Sequence, residues 1–253
     1  MDLGLSGKRF VVTGGTRGIG RAVVEGLLAE GASVAFCART VDAVADAQAE
    51  LTAGGATAVG AAIDVGDGAA VEAWVNASAD RFSGLDGVVA NVSALAIPET
   101  PQNWRASFEV DLMGTVGLVD AALPYLLESD SASIVTISSV SGREIDFAAG
   151  PYGTMKAAII HYTQGLAFQL AGRGVRANTV SPGNTYFPGG VWPSIEQNDP
   201  DLFAAALALN PTGRMATPQE VANAVVFLSS PAAGFITGTN LLVDGALTRG
   251  VQL

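Results

Sequence analysis

Short, largely apolar runs recur along the chain, separated by helix-length stretches with apolar positions at helical spacing. The clearest runs are Phe10–Val12, Val34–Cys37, Leu85–Ala90, Ile134–Ile137 and Val175–Val180. Between them, Ile19–Glu30, Val41–Leu51, Ala69–Phe82 and Gln102–Leu127 read as helices. A strand with one wet face alternates apolar and polar residues, whereas a strand buried on both faces is apolar along most of its length, as most of these are. Strands that alternate with helices pair in parallel through right-handed crossovers. The pattern predicts an α/β fold, a doubly wound parallel sheet in three layers (α/β/α), as a single domain over residues 1–253.

One stretch breaks the alternation. From Pro182 to Pro193 the chain carries three prolines and three glycines, and a helical segment, Pro200–Leu209, follows. Excursions of this length in compact domains serve as lids or binding loops, so a substrate lid is expected near 184–210. The pattern resumes with a helix near Pro218–Leu228 and a last strand near Leu241–Val243.

Composition narrows the function. With 49% apolar and 15% charged residues the chain can build a core and is not disordered. Its net charge of -11, with no local basic patch, argues against nucleic acid and anionic membranes as partners. No apolar run reaches membrane-spanning length, and Met1 to Arg9 lacks the apolar core of a signal peptide, so a soluble, cytoplasmic protein is expected. Cys37 is the only cysteine, which rules out an intrachain disulfide and a thiolate cluster; no metal site is expected. His161 is the only histidine, in a helical stretch with no nucleophile elbow nearby, which disfavours a Ser-His-Asp hydrolase.

Two local patterns carry chemistry. Phe10-Val-Val-Thr-Gly-Gly-Thr-Arg-Gly-Ile-Gly20 follows a predicted strand and opens a helix. Glycines there let the backbone turn sharply and approach a pyrophosphate, which the free N–H groups of the helix start then bind. The spacing is T-G-x-x-x-G-x-G, not the general dinucleotide G-x-G-x-x-G, because Val23 stands where a last glycine would follow Gly18 and Gly20. A dinucleotide-binding, Rossmann-type domain is expected. The second pattern is Tyr152 and Lys156, four apart and so on one helix face. A carbonyl that accepts hydride also needs a proton. A phenol can supply it, but ordinarily titrates near about 10, and an ammonium alongside favours the phenolate. Ser139 follows the run Ile134–Ile137, at the carboxyl end of a strand where ligands of parallel sheets bind.

Together these features resemble the short-chain dehydrogenase/reductase family, in its short single-domain branch, from Lys8 to about Gly245. The family's glycine motif matches Thr13–Gly20, its Tyr-x-x-x-Lys matches Tyr152 and Lys156, and its active-site serine matches Ser139. Its adenine-contacting aspartate after the third strand matches Asp64, beside Val65, and its Pro-Gly after the sixth strand matches Pro182 and Gly183. The closing segment Ile236-Thr-Gly-Thr-Asn-Leu-Leu-Val-Asp-Gly245 is also similar. The resemblance implies that Tyr152 is general acid in reduction and general base in oxidation. It implies that Lys156 favours the phenolate and grips the nicotinamide ribose, and that Ser139 orients the substrate oxygen.

The sequence departs from the family pattern at three places. Asn-Asn-Ala-Gly after the fourth strand reads Ala90-Asn-Val-Ser93, keeping only Asn91. The fourth catalytic residue, an asparagine, falls at Asp111. The family's Pro-Gly-x-x-x-Thr reads Pro182-Gly-Asn-Thr-Tyr-Phe187, with Thr185 two positions early. The catalytic set is therefore Ser139, Tyr152, Lys156 and Asp111. The cofactor set is Gly14, Thr16, Arg17, Gly18, Ile19, Gly20, Arg39, Asp64, Val65, Asn91, Tyr152, Lys156, Pro182, Gly183 and Thr185.

The second strand ends Cys37-Ala38-Arg39, with Ala38 where an NAD-selective site places an acid. Arg39, with Arg17 as a second clamp, suits a 2′-phosphate, so NADP(H) is expected over NAD(H). No Lys or Arg occurs between Arg176 and Arg214, while Tyr186, Phe187, Val191, Trp192, Ile195, Leu202 and Phe203 crowd the lid region. About half of these should only pin the lid. The rest favour a small, neutral, largely apolar ketone and its secondary alcohol over a carrier-linked 3-oxoacyl group. A non-catalytic NADP(H) sensor or scaffold is the other alternative, favoured by Asp111. An enoyl reductase of the divergent branch is poor, because Ile159 stands where its lysine would be. By resemblance, the chain should form a homotetramer, or failing that a dimer, through helices spanning about Gln102–Leu127 and Tyr152–Leu170.

Overall fold

The computed structural model describes residues 2–250. Seven strands form one parallel sheet: β1 (Arg9–Thr13), β2 (Ser33–Ala38), β3 (Ala58–Ala62), β4 (Gly87–Ala90), β5 (Ser133–Ile137), β6 (Arg176–Pro182) and β7 (Asn240–Val243). Their spatial order is β3-β2-β1-β4-β5-β6-β7. The order reverses beside β1, so the crevice at the carboxyl ends of β1 and β4 is where such folds bind ligands.

Successive side chains of a strand point to opposite faces, and each face has its own core. Phe10, Val12, Val34, Phe36, Val89 and Val135 face one layer, made of α1 (Gly18–Ala29), α2 (Val41–Thr52) and α9 (Pro218–Ser229). Val11, Ala35, Cys37, Val88 and Ile134 face the other, made of α3 (Gly68–Phe82), α5 (Gly114–Leu126) and α6 (Pro151–Leu170). Fully buried side chains such as Phe10, Leu27, Leu118 and Ile134 each contribute about 1.5–3 kcal/mol. The doubly wound α/β architecture is as the apolar runs foretell.

Four details differ from the reading of the sequence. The edge strand β3, Ala-Val-Gly-Ala-Ala, has too few large side chains to stand out as an apolar run. A Cβ at Gly60 would lie 2.6 Å from Val44 and 2.9 Å from the Phe36 ring, so small residues are needed there. The expected helix Gln102–Leu127 is three pieces: α4 (Pro101–Ala106), a π-helical turn Ser107–Met113, and α5. The expected break at Pro182–Pro193 is narrower. Pro182 is the last residue of β6, and Val191–Asn198 forms a helix, α7, before α8 (Pro200–Ala208). Pro193 is tolerated because the first-turn N–H groups of a helix have no intrahelical partner. Finally, β4 begins at Gly87, because Asp86 turns its carboxylate to Arg9 at the sheet's amino end.

Among the described residues no helix is long and apolar enough to cross a membrane. Among them, no group of three or more His, Cys, Asp or Glu side chains could hold a metal.

Candidate active site

The β1–α1 turn is built for close approach. Gly14 takes the left-handed conformation (φ 72°), and the N–H groups of Gly14 and Gly15 donate to Cys37 O at 2.8 and 3.1 Å. A Cβ at Gly20 would run into Gly14 O and Asn91 Nδ2, so only glycine fits. Asn91 braces the turn: its Nδ2 donates to Thr13 O at 3.0 Å and its N–H to Thr13 Oγ1 at 3.0 Å. No side chain caps the amino end of α1, so its first-turn N–H groups, with Thr16 and Ile19 beside them, face the crevice uncapped. The Cys37 thiol lies below, and burial pushes it up to about 12, which makes it inert.

Around this turn stand the other expected cofactor residues. Arg39 is exposed just past β2. Asp64 accepts from Gly66 N at 3.0 Å in the turn after β3, and buried Val65 packs on α5, 3.1 Å from where a Cβ on Gly114 would sit. Gly183 N donates to Val243 O at 3.0 Å, which ties the end of β6 to β7. Thr185 is turned away: its Oγ1 donates to Gly183 O at 3.1 Å and its backbone bridges to Ala216. Phe187 stands over the turn instead, with its ring 2.6 Å from where a Cβ on Gly18 would be. Arg17 Nη1 donates to Gly189 O at 2.8 Å, a second link between the turn and the 184–210 segment.

The catalytic candidates converge at the carboxyl end of β5. Ser139 caps the 3₁₀ turn Val140–Gly142 and accepts from Ser141 N at 3.1 Å. Tyr152 and Lys156 lie on the first turns of α6, held to β5 by Ser138 Oγ, which donates to Lys156 O at 2.8 Å. Buried Lys156 Nζ sits 5.6 Å from the centre of the half-buried Tyr152 ring and donates to Ile137 O at 3.0 Å. The π-helical turn faces α6 and carries Asp111 inward. Its Oδ1 forms an ion pair with Lys156 Nζ at 3.3 Å, outside hydrogen-bond geometry, while Oδ2 accepts from Ala94 N at 3.0 Å. The Asp111 carbonyl is separately engaged by Thr115 Oγ1 at 2.7 Å.

A cap of aromatic residues borders these groups. Trp192 on α7 is buried and meets Phe147 edge-on at 5.9 Å and Phe203 on α8 at 6.4 Å. Trp192, Val191, Ile195 and Phe203 form the 184–210 segment's own small core with Ala206 and Met215. Tyr186 and Phe187 lie outside it. His161 is exposed on the outer side of α6.

The family model described as enoyl-(acyl carrier protein) reductase matches residues 14–248. Isoepoxydon dehydrogenase of Penicillium expansum is 41% identical over 257 residues, covering 100% of this chain and 99% of the relative. The chain belongs to the short-chain dehydrogenase/reductase family. Meso-2,3-butanediol dehydrogenase of Serratia marcescens is 37% identical over 247 residues, covering 95% of this chain and 94% of the relative. The solved 7α-hydroxysteroid dehydrogenase, complexed with NADH and 7-oxoglycochenodeoxycholic acid, superposes with a TM-score of 0.90 at 25% identity, covering 97% and 96% of the two chains. Like these relatives, this short-chain dehydrogenase/reductase is an oxidoreductase of the alcohol dehydrogenase kind, and family structures bind a nicotinamide dinucleotide.

The residues present fit that cofactor. The cradle at Gly20 leaves no room for a side chain, and the uncapped start of α1 offers N–H donors to a pyrophosphate. No local sequence pattern points to the contacts of Phe187 and Gly189 with the glycine turn, or to Ile137 O as the acceptor for Lys156. The one visible signal was Phe187, standing where the family carries threonine.

Proposed function

We propose that this chain is an NADP(H)-dependent oxidoreductase that interconverts a small, neutral, largely apolar ketone and its secondary alcohol. It acts as one domain with a lid over about 184–210. The observation that carries this reading is the Lys156 ammonium, buried beside the Tyr152 ring, with Ser139 on the adjoining strand end. When bound, the nicotinamide supplies or accepts the hydride. Tyr152 gives a proton to the carbonyl oxygen in reduction and takes it back in oxidation. Ser139 donates a hydrogen bond to the same oxygen. Lys156 stabilises the negative charge left on the phenol and holds the nicotinamide ribose, and Asp111 sets the field around Lys156. Gly14, Thr16, Gly18, Ile19 and Gly20 cradle the pyrophosphate. Asp64 and Val65 border the adenine; Asn91, Pro182 and Gly183 shape the nicotinamide end, with Thr185 bracing Gly183 from behind through its hydroxyl. Arg39 and Arg17 hold the 2′-phosphate, with no acid at Ala38 to repel it.

The substrate follows from the lid. The partly exposed Tyr186 lies beside the lid's apolar core, and no Lys or Arg lies between Arg176 and Arg214 to meet an anion. The relatives named for isoepoxydon and meso-2,3-butanediol support a small substrate. A relative named 3-oxoacyl-[acyl-carrier-protein] reductase, from Vibrio cholerae and 33% identical over 249 residues, favours a second reading, a carrier-linked 3-oxoacyl substrate. An acidic carrier protein would meet a net charge of -11 on this chain, which slows encounter. Catalytic efficiency on cyclohexanone and on a carrier-linked 3-oxoacyl substrate, each with NADPH and with NADH, tests both. Cyclohexanone with NADPH is expected to be turned over best. A clear advantage for the carrier-linked substrate that weakens with added salt would establish the second reading.

A further inference from the structure

Beside Ser139 lies a polar group that the reaction itself does not use. Ser139 Oγ lies 3.3 Å from Ser141 Oγ, and Ser141 Oγ donates to Asp146 Oδ2 at 2.6 Å. Asp146 Oδ1 accepts from Ala148 N at 2.8 Å, which fixes the carboxylate in its loop. Ser141 and Asp146 are both half-buried, so neither is sealed in the core. The loop sits under the lid, since its next residue, Phe147, meets Trp192 edge-on.

The hydrogen bonds can be counted. An ionised carboxylate only accepts, so Asp146 commits the single Ser141 proton. Ser141 Oγ is then an acceptor, and its donor in the free protein is the Ser139 hydroxyl. Ser139 has one proton, and its own oxygen already accepts from Ser141 N. Once Ser139 donates to a carbonyl oxygen, Ser141 Oγ loses that donor, and the carboxylate keeps unused lone pairs beside it. Ser141 Oγ then stands next to the reacting oxygen without a protein donor, beside a carboxylate that still accepts from Ser141 and Ala148 but has lone pairs to spare. A hydroxyl on the carbon adjacent to the carbonyl supplies a proton there, because oxygens on neighbouring carbons are spaced much as Ser139 Oγ and Ser141 Oγ are.

We infer that Ser141 and Asp146 form a specificity site for a second hydroxyl, so that the preferred substrates are α-hydroxy ketones and the matching vicinal diols. This rests on Ser139, Tyr152 and Lys156 holding the reacting oxygen, as proposed above. It deepens that reading: the substrate remains small and neutral, but presents one polar edge to this loop and an apolar edge to Phe147 and the lid.

The probes are 2-hydroxycyclohexanone against cyclohexanone, and trans-1,2-cyclohexanediol against cyclohexanol. The wild-type protein is expected to favour the hydroxylated member of each pair by about tenfold or more. Ser141→Ala keeps the backbone donor to Ser139, and Asp146→Asn keeps an acceptor for Ala148 N. Each is expected to cut the preference ratio by roughly 3- to 10-fold. The double variant should lose less than the product of the two, because the carboxylate acts through Ser141. A wild-type ratio near one overturns the inference while leaving the dehydrogenase reading intact. So does a loss shared equally by both members of a pair, which marks a merely structural loop. Failure of the wild-type protein to turn over any of the four compounds overturns the inference and counts against the broader reading as well.

Discussion

Asp111 and Lys156, from a π-helical turn and from α6, meet as a buried ion pair at 3.3 Å. The Asp111 carbonyl is already bound by Thr115, so the carboxylate is the part of this residue that reaches the lysine. Removing one partner of a buried pair leaves a charge without its counterion, a loss of about 3–5 kcal/mol. Asp111→Ala is expected to lose stability on that scale in denaturant unfolding. Asp111→Asn keeps an acceptor toward Ala94 and should lose less, yet it alters the field around Lys156 and Tyr152. One limb of its pH–rate profile is therefore expected to move relative to wild type. An identical profile would make the carboxylate a spectator in catalysis.

Arg39 is exposed at the end of β2, beside Ala38 and across from the glycine turn. Arg39→Ala is expected to weaken NADPH binding by on the order of 1.5–3 kcal/mol for the lost charged contact. NADH binding should change little. Titration of both cofactors into wild type and variant reads this directly. Equal or better efficiency with NADH in the wild-type protein would refute the proposed cofactor preference.

Asp86 closes the amino end of the sheet. Burial is the largest influence on its carboxyl and pushes it up, but hydrogen bonds from Arg9 and Ser129, with the charges of Arg9 and Lys8, outweigh it and hold it below the usual range. A carboxyl depressed in the folded state adds stability above its unfolded value and loses that contribution as pH falls through its folded value. Asp86→Asn is expected to cost about 1.5–3 kcal/mol at neutral pH. The gap from wild type should narrow as the solution is acidified below the ordinary carboxylate range. Thermal melts of both proteins across that acidic range provide the check.

Trp104, Phe108 and Met113 leave large apolar surfaces exposed along α4 and the π-helical turn, and Phe168 on α6 is 91% exposed. Leu166, by contrast, faces the sheet. An exposed apolar face of this kind favours association, and a homotetramer is expected, with a dimer as the fallback. Phe108→Ser should weaken the assembly. Light scattering that finds a 25.6 kDa species at micromolar concentration in the wild-type protein would refute it.

Much of this molecule was legible in one dimension. The apolar runs that are buried on both faces, the glycine turn between a strand and a helix, and the Tyr152–Lys156 spacing all depend on residues close in sequence. Their physics is local: helical periodicity, strand alternation, and the room that only glycine leaves. Sequence alone therefore determined the doubly wound sheet and the candidates Ser139, Tyr152 and Lys156. Tertiary structure decided what lies between distant segments. It widened one helix so that Asp111 reaches Lys156, 45 positions later in the numbering of two separate elements. It laid Phe187 on Gly18, turned Thr185 back on Gly183, and folded the loop after β5 so that Asp146 holds Ser141 beside Ser139. Such contacts depend on backbone paths and on competition for hydrogen bonds across the fold, and neither has a period that a sequence can display.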